Sequence, residues 1–328
     1  MNHENVDIIV AVHNSERFLL ECLNSVENQS YPNIHLIIID DGSTDSSSNI
    51  INSFRKISQL KITVLTNRNA QGVSVARNRG LDAARGPYVT FLDSDDVLLK
   101  EHINGLVQTI QSTQSELAVT GAIKQTKIDY VKSSLNVCST PIDKALRDIL
   151  GFENIQGYVW NKLFKLEQIN QKKLRFDDSL FICEDLYFVC SYMKATTEKI
   201  GYTGTSTYIY RQNKNSNLAQ RKELADIIRK GNNEQEAYSK ISQVMELEKG
   251  KRYCELKKTW TMINFIKGVV SVADPYDYIP EVMAAYNEQK RQFLIRAIFS
   301  GFFPPKDLVH LIVDMYTIQI KLRKLNNA

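Results

Sequence analysis

Between Asp7 and Thr120 the chain alternates short, almost wholly apolar runs with longer amphipathic stretches. The apolar runs are Asp7–Val12, His35–Ile39, Lys61–Leu65, Tyr88–Leu92 and Glu116–Thr120. Short runs rich in Ile, Val and Leu are the pattern of strands covered on both faces, as in a parallel sheet. The intervening stretches carry helical periodicity over Glu16–Asn28, Ser46–Ile57, Val73–Ala84 and Lys100–Gln114. Asn14 or Ser15 and Asp45 stand where N-caps belong, and Gly86 closes the third helix. The alternation predicts an α/β fold with a doubly wound, mostly parallel sheet. From Gly121 to about Asn215 the pattern is mixed, with the segment Trp160–Lys165 (WNKLFK) and an alternating strand over Tyr202–Tyr210. Helical patterns follow to the end, so the expected organisation is an α/β unit over 1–215 and a helical C-terminal region over 216–328.

Composition narrows the class. A chain of 328 residues with 43% hydrophobic content can bury a substantial core. The 41 basic and 37 acidic residues are interspersed, and the net charge of +4 leaves no nucleic-acid footprint. The five cysteines are scattered without a CxxC pair, as free thiols in a reducing compartment are. The chain enters a strand-like run at Val6 with no secretion pattern before it, and no long apolar run predicts a membrane span. The expectation is a cytoplasmic protein whose membrane contact, if any, is peripheral.

Ligands of such sheets bind outside the carboxyl ends of the strands, so the residues following each strand matter most. The first strand is followed by His13-Asn14-Ser15, the second by Asp40-Asp41-Gly42-Ser43-Thr44-Asp45, and the fourth by Asp93-Ser94-Asp95-Asp96. Three carboxylates within four positions repel unless a cation joins them, and a tight acidic turn suits a hard ion such as Mg²⁺ or Mn²⁺. The competing structural reading is a solvated turn that caps the next helix. In DDGSTD, capping accounts for Ser43 and Asp45 but leaves the adjacent Asp40 and Asp41 unexplained, and these could accept hydrogen bonds from a ribose or base. In the third helix Arg77, Asn78 and Arg79 interrupt a small, apolar surface. Arg77 suits a diphosphate, or it pairs with a neighbouring acid such as Asp82. Glu184 and Asp185 open an apolar helix, where acids are also favoured by the helix dipole.

Taken in order, VDIIVAVHN, IIIDDGSTD, GVSVARNRGLDAARGPYVTFLDSDD, WNKLFK and Glu184-Asp185 resemble a family 2 glycosyltransferase with the Rossmann-like GT-A fold. The match runs over roughly residues 5 to 215. The resemblance implies that Asp40 binds the nucleobase, with Asp41, Val12 and Glu16 around it. Asp93 and Ser94 would meet the ribose or the metal, and Asp95 would hold Mn²⁺ or Mg²⁺ on the donor diphosphate beside Arg77. Asp185 would be the base that takes the acceptor proton, with Glu184 in support, and Tyr208 to Arg211 with Ser216 would close over the diphosphate. Ala11 and His13 depart from the Pro and Tyr usual in the family.

The implied activity is an inverting transfer of sugar from a nucleotide-sugar, by default a UDP-sugar, to a glycan or lipid-linked acceptor in surface-polysaccharide synthesis. The rival reading is a haloacid-dehalogenase-type phosphohydrolase using Asp93 and Asp95, since DSDDVL also fits that nucleophile motif. Against it, the motif usually ends the first strand of its domain, and three strand–helix units precede it here. A dinucleotide-dependent oxidoreductase is disfavoured because the first strand–helix turn has no GxGxxG. A non-catalytic nucleotide-binding module leaves the acidic turn and the Glu184–Asp185 pair without a task. Near the end, Lys290–Phe299 and Gly301–Lys306 mix basic and aromatic residues, which suits either a membrane interface or packing on the catalytic unit.

Overall fold

The computed structural model describes residues 4–124, 137–150, 157–196, 199–211, 224–245, 248–272 and residue 318. Expectations for Ser216 and for Lys290–Lys306 lie outside the described residues.

The first half is the expected alternation. Strands β1 (Val6–Val12), β2 (Ile34–Asp41), β3 (Lys61–Asn67) and β4 (Tyr88–Asp93) alternate with helices α1 (Leu19–Glu27), α2 (Ser47–Ile57) and α3 (Val73–Ala83). All four strands are parallel, in the order β3-β2-β1-β4. Ile8, Ile9, Val10, Leu36, Ile37 and Ile38 are essentially inaccessible, as continuous apolar strands between two helical layers should be. Gly80 of α3 packs so closely on the sheet that an added Cβ would lie 2.5 Å from Ile9 Cγ2.

Two local expectations change. Helix α1 begins at Leu19 rather than Glu16, and neither Asn14 nor Ser15 caps it. Asn14 takes a positive φ of 50°, and its side-chain oxygen accepts from the Thr44 N–H at 2.8 Å. Ser15 Oγ meets Ser94 Oγ at 2.6 Å. These polar side chains join neighbouring strand-end loops instead of starting a helix. The acidic turn after β4 does not cap a helix either. It closes through Asp96 N–H to Asp93 C=O at 3.0 Å and leads into the short strand β5 (Val97–Leu98).

Beyond β4 the sheet becomes mixed. Helix α4 (His102–Thr113) precedes β6 (Leu117–Lys124), then come β7 (Cys138–Pro141), α5 (Ile142–Leu150), β8 (Lys162–Lys165), α6 (Leu166–Gln171), α7 (Glu184–Thr196) and β9 (Lys199–Tyr210). The WNKLFK segment supplies β8, which inserts antiparallel between β4 and β6. The sheet order is β3-β2-β1-β4-β8-β6-β9-β5, with β7 beside β9. Helices α8 (Leu224–Val244) and α9 (Glu248–Val272) follow. Ile227, Tyr238, Ile241 and Leu256 from these helices lie in one apolar cluster with Phe91, Phe164 and Phe188, so the described helical region shares the core of the α/β unit. No helix among the described residues is long and apolar enough to cross a membrane.

Gly42 turns the chain after β2 at φ +66°, and a Cβ there would come within 2.6 Å of the backbone at Asn69 and Ala70. Gly42→Ala therefore meets both a disfavoured conformation and an immovable neighbour. It is expected to lower unfolding free energy by roughly 2 kcal/mol or more, read from urea denaturation.

Candidate active site

The carboxyl ends of β1, β2 and β4 carry a continuous hydrogen-bonded rim. Asp40 and Asp41 end β2 and are both buried. Asp40 Oδ1 accepts from Ser43 N–H at 3.0 Å, and Oδ2 accepts from the Ser48 hydroxyl. Asp41 accepts from Asn67 Nδ2 at 2.6 Å and from the N–H groups of Gln71 and Gly72 at 2.9 and 2.8 Å. Capping thus explains the pair more fully than the sequence suggests. Asp41 fastens the loop that starts α3, and Asp40 braces its own turn while keeping further lone pairs. Glu16 is exposed and accepts from Ser46 N–H at 2.9 Å, while Asp45 accepts from Glu16 N–H at 3.0 Å. Val12 is fully buried within the apolar cluster, so its side chain is core rather than an open pocket wall.

Arg77 is the centre of the second group. Its Nη1 donates to Asp185 Oδ1 at 2.6 Å and to Glu184 Oε1 at 3.2 Å, and its Nη2 donates to Asp93 Oδ1 at 2.9 Å. Arg77 is 5% exposed, with its guanidinium 5.4 Å from the centre of the Phe176 ring. Phe176 in turn stacks on Phe188 at 4.2 Å and packs edge-on to Phe91. Burial by itself would weaken the proton's hold on this guanidinium, but Asp185, Asp93 and Glu184 outweigh it and raise the pKa. The expected neighbour Asp82 pairs instead with Arg175 at 2.6 Å. Arg77 is therefore a buried clamp between β4 and α7, with its charge directed at the carboxylates rather than presented openly to a diphosphate.

The carboxylates respond to the same enclosure. Asp185 is pushed up to about 7 by burial, with Glu184 adding to the rise and Arg77 opposing it. Its second oxygen accepts from Val159 N–H at 3.3 Å. Asp93 is raised by burial and by Asp185 against the pull of Arg77. Asp96, fully buried, accepts from the Tyr208 hydroxyl and the Arg211 N–H, each at 2.7 Å. Burial and then Asp93 push it to about 8. Asp96 thus ties the acidic turn to β9.

The residues beyond the turn supply a cation and an aromatic wall. Arg211 is 8% exposed, pairs through Nη2 with Glu21 and lies over Phe18, while its Nη1 is buried with no hydrogen-bond partner among the described residues. Trp160 stacks against Tyr158, Tyr208 and Tyr210, with ring centres 5.0, 4.2 and 5.8 Å away. Among the described residues no group of three or more His, Cys, Asp or Glu forms a ready metal cage. Such a cage is not required by an ion held through one or two carboxylates and completed by substrate phosphates. Within the turn, Asp93 is engaged by Arg77, Asp96 by its two donors, and Asp95 is half-buried.

Several positions that brace the site were not assigned from the sequence. Asp96 was visible in the acidic turn, and Lys162 as one of the two lysines within WNKLFK. Asn233 of α8 gave no sequence signal, yet its side chain accepts from Phe181 and Ile182 N–H and donates to Ser179 C=O, holding the loop before Glu184. Lys240 of the same helix pairs with Asp177 at 2.7 Å.

The mixed α/β sheet and its flanking helices match the GT-A glycosyltransferase fold. The sequence profile of Glycosyl transferase family 2 matches residues 7–172, and the chain belongs to that family. It is 31% identical over 228 residues to glycosyltransferase GlyA of Streptococcus pneumoniae serotype 4, a match covering 65% of this chain and 31% of GlyA. The chain thus spans about a third of that relative's length. Its fold matches TarS 1-349 of S. aureus, solved in complex with UDP-GlcNAc, at a TM-score of 0.63 and 17% identity, covering 98% of this chain and 89% of the other. The mannosyltransferase PcManGT of Pyrobaculum calidifontis, solved with GDP-Man and Mn²⁺, matches at 0.59 with 13% identity over 98% and 88% of the two chains. The phosphohydrolase reading finds no support, since Asp93 ends the fourth strand and its carboxylate is clamped by Arg77.

Replacing Arg77 by Met leaves three facing carboxylates without their cation. The loss should be about 3–5 kcal/mol, as when one partner of a buried charge pair is removed. Raised carboxylate pKa values mean that the folded state holds protons which it releases as pH climbs through about 7, so the penalty is expected to be larger at pH 8 than at pH 5.5. Urea unfolding at both pH values checks this, and an equal loss at each would show that charge is not the cause.

Proposed function

We propose that the chain transfers a sugar from a nucleotide-sugar donor to a hydroxyl group of a glycan or lipid-linked glycan acceptor, with inversion at the anomeric carbon, in surface-polysaccharide synthesis. The observation that carries the reading is the Arg77 clamp, which sets Asp185 of α7 and Asp93 of β4 on one guanidinium at the carboxyl edge of the sheet. A proton acceptor is thereby held next to the turn where a donor's diphosphate would lie.

In this reading Asp185 removes the acceptor's hydroxyl proton as that oxygen bonds to the anomeric carbon. The bond from that carbon to the diphosphate oxygen breaks, and the nucleoside diphosphate leaves with the electron pair. A single displacement of this kind inverts the centre. A carboxylate with a pKa near the working pH is well matched to the task, because it is ionised yet still basic. Glu184 shares Arg77 and restrains its neighbour. Asp40, Glu16 and Ser94 would receive the nucleoside along the rim. Arg211 offers the diphosphate a guanidinium with an unpaired N–H, so this contact is assigned to Arg211 in place of Arg77. Asp95 would hold Mn²⁺ or Mg²⁺, which neutralises diphosphate charge when bound. The described cysteines are free thiols, in keeping with a cytoplasmic setting. The reading leaves membrane contact by the basic, aromatic segment after Lys290 as a route to a lipid-linked acceptor.

The test begins with release of nucleoside diphosphate from UDP-, GDP- and dTDP-sugars, with Mn²⁺, Mg²⁺ or EDTA present. UDP-sugars with Mn²⁺ are expected to be turned over, and undiminished activity in EDTA would remove the cation from the account. Asp95→Asn should lose most turnover while remaining folded. Asp185→Asn is expected to lower transfer by roughly 10²- to 10⁴-fold with donor affinity nearly unchanged. For the unsubstituted enzyme, transfer should rise with pH through about 7 as Asp185 ionises. A rate that is flat from pH 5.5 to 8 would exclude Asp185 as the base.

A further inference from the structure

Lys162 opens β8 and is completely buried, an unusual place for a lysine, and burial lowers its pKa to about 7 against the opposing pull of Asp185. Its Nζ donates to the Tyr158 carbonyl at 2.6 Å and to Asn161 Oδ1 at 2.8 Å. The Tyr158 carbonyl shares a planar peptide unit with the Val159 N–H. That N–H is the donor to Asp185 Oδ2. The chain of contacts therefore runs from ammonium to carbonyl oxygen, through one rigid amide, and out to the carboxylate oxygen that Arg77 does not touch. A hydrogen bond to the carbonyl polarises the amide and strengthens donation from its N–H, since linked hydrogen bonds reinforce one another.

Packing holds this peptide from the other sides. The Tyr158 ring stacks on Trp160, and Trp160 stacks on Tyr208, whose hydroxyl is bonded to Asp96. Trp160 and Lys162 belong to the same short segment, so one turn of chain supplies the aromatic wall and the ammonium. Thr90 Oγ1 donates to the Lys162 carbonyl at 2.7 Å and ties that segment to β4. The residue fits no purely apolar role in the strand. A leucine there would fill space but leave the Tyr158 carbonyl without the ammonium.

We propose that Lys162 is a positioning residue for the base: through the Tyr158–Val159 peptide it fixes the orientation of the Asp185 carboxylate, complementing the direct hold of Arg77 on the other oxygen. The inference rests on Asp185 being the base, and it goes further by making a residue that touches no substrate set the geometry of proton transfer.

The first measurement needs no activity. Thermal unfolding of the unsubstituted protein, Lys162→Met, Asp185→Asn and the double variant forms a double-mutant cycle. Residues linked through a shared network are non-additive, so the fall in Tm caused by Lys162→Met should be smaller by about 2 °C or more in the Asp185→Asn background. Additive shifts would overturn the proposal. The second measurement is steady-state transfer by Lys162→Met with the donor found in the screen. Its kcat should fall roughly 10- to 100-fold, as for a misplaced reacting group, with donor Kd and acceptor KM within about threefold of the parent. Unchanged kcat, or a loss confined to KM, would also overturn it. If Lys162→Met does not fold, the cycle and the kinetics are run with Lys162→Gln, whose uncharged side chain ends one atom short of Nζ and so loses the hold on the Tyr158 carbonyl; the same reductions are expected and the same null results overturn the proposal. If no donor is turned over by the unsubstituted protein, the proposed function fails, while the unfolding cycle still decides whether Lys162 and Asp185 are linked.

Discussion

A buried guanidinium facing three carboxylates organises this molecule. Arg77 cannot be enclosed among Phe176 and its aromatic neighbours unless its charge is matched. Asp93, Glu184 and Asp185 match it, and they come from elements more than ninety residues apart in sequence, as the contact from Arg77 to Asp185 at a separation of 108 makes plain. The clamp therefore needs the parallel sheet, α3 and α7 to be in register before it can form. Burial, with Glu184 adding to it, raises Asp185 toward neutrality against the pull of Arg77.

The surrounding structure reads as support for that cluster. Asp41 binds the N–H groups at the start of α3 and so places Arg77 on its helix. Asp96 binds Tyr208 and Arg211 and fixes the turn that carries Asp93. On the far side, Asn233 and Lys240 of α8 hold the loop that delivers Glu184 and Asp185. Cys183, directly before them, adopts a positive φ of 61°, a conformation uncommon for a side chain other than Gly or Asn. The helices after the family-matched segment thus contribute to the site by bracing it, whatever else they do.

The division between what the sequence revealed and what it concealed follows from the range of the interactions. Strands β1 to β4 and their helices were legible because a two-sided parallel sheet writes itself as apolar runs, and the strand-end acids stood out against them. Ordered motifs also carried the family and the GT-A fold. Side-chain partners were not legible. Arg77 reads as exposed enough for phosphate when only its helix is considered, and only the fold shows Asp93 and Asp185 closing on it. Asp41 looked spare because its donors, Asn67 at the end of β3 and Gly72 before α3, lie in a different part of the chain. The antiparallel insertion of β8 between β4 and β6 was equally hidden, since WNKLFK is too short for its periodicity to declare a strand or a neighbour.

Burial within the Arg77 cluster leaves Asp185 poised near neutrality. Carbon-13 NMR titration of the aspartate side-chain carboxyls, with the Asp185 signal assigned by its loss in Asp185→Asn, measures this without substrate. The expected midpoint for Asp185 is near 7. A midpoint near the ordinary aspartate value of about 4 would contradict this, because Arg77 would then outweigh burial beside Glu184 and Asp185 would be a plain ion-pair partner.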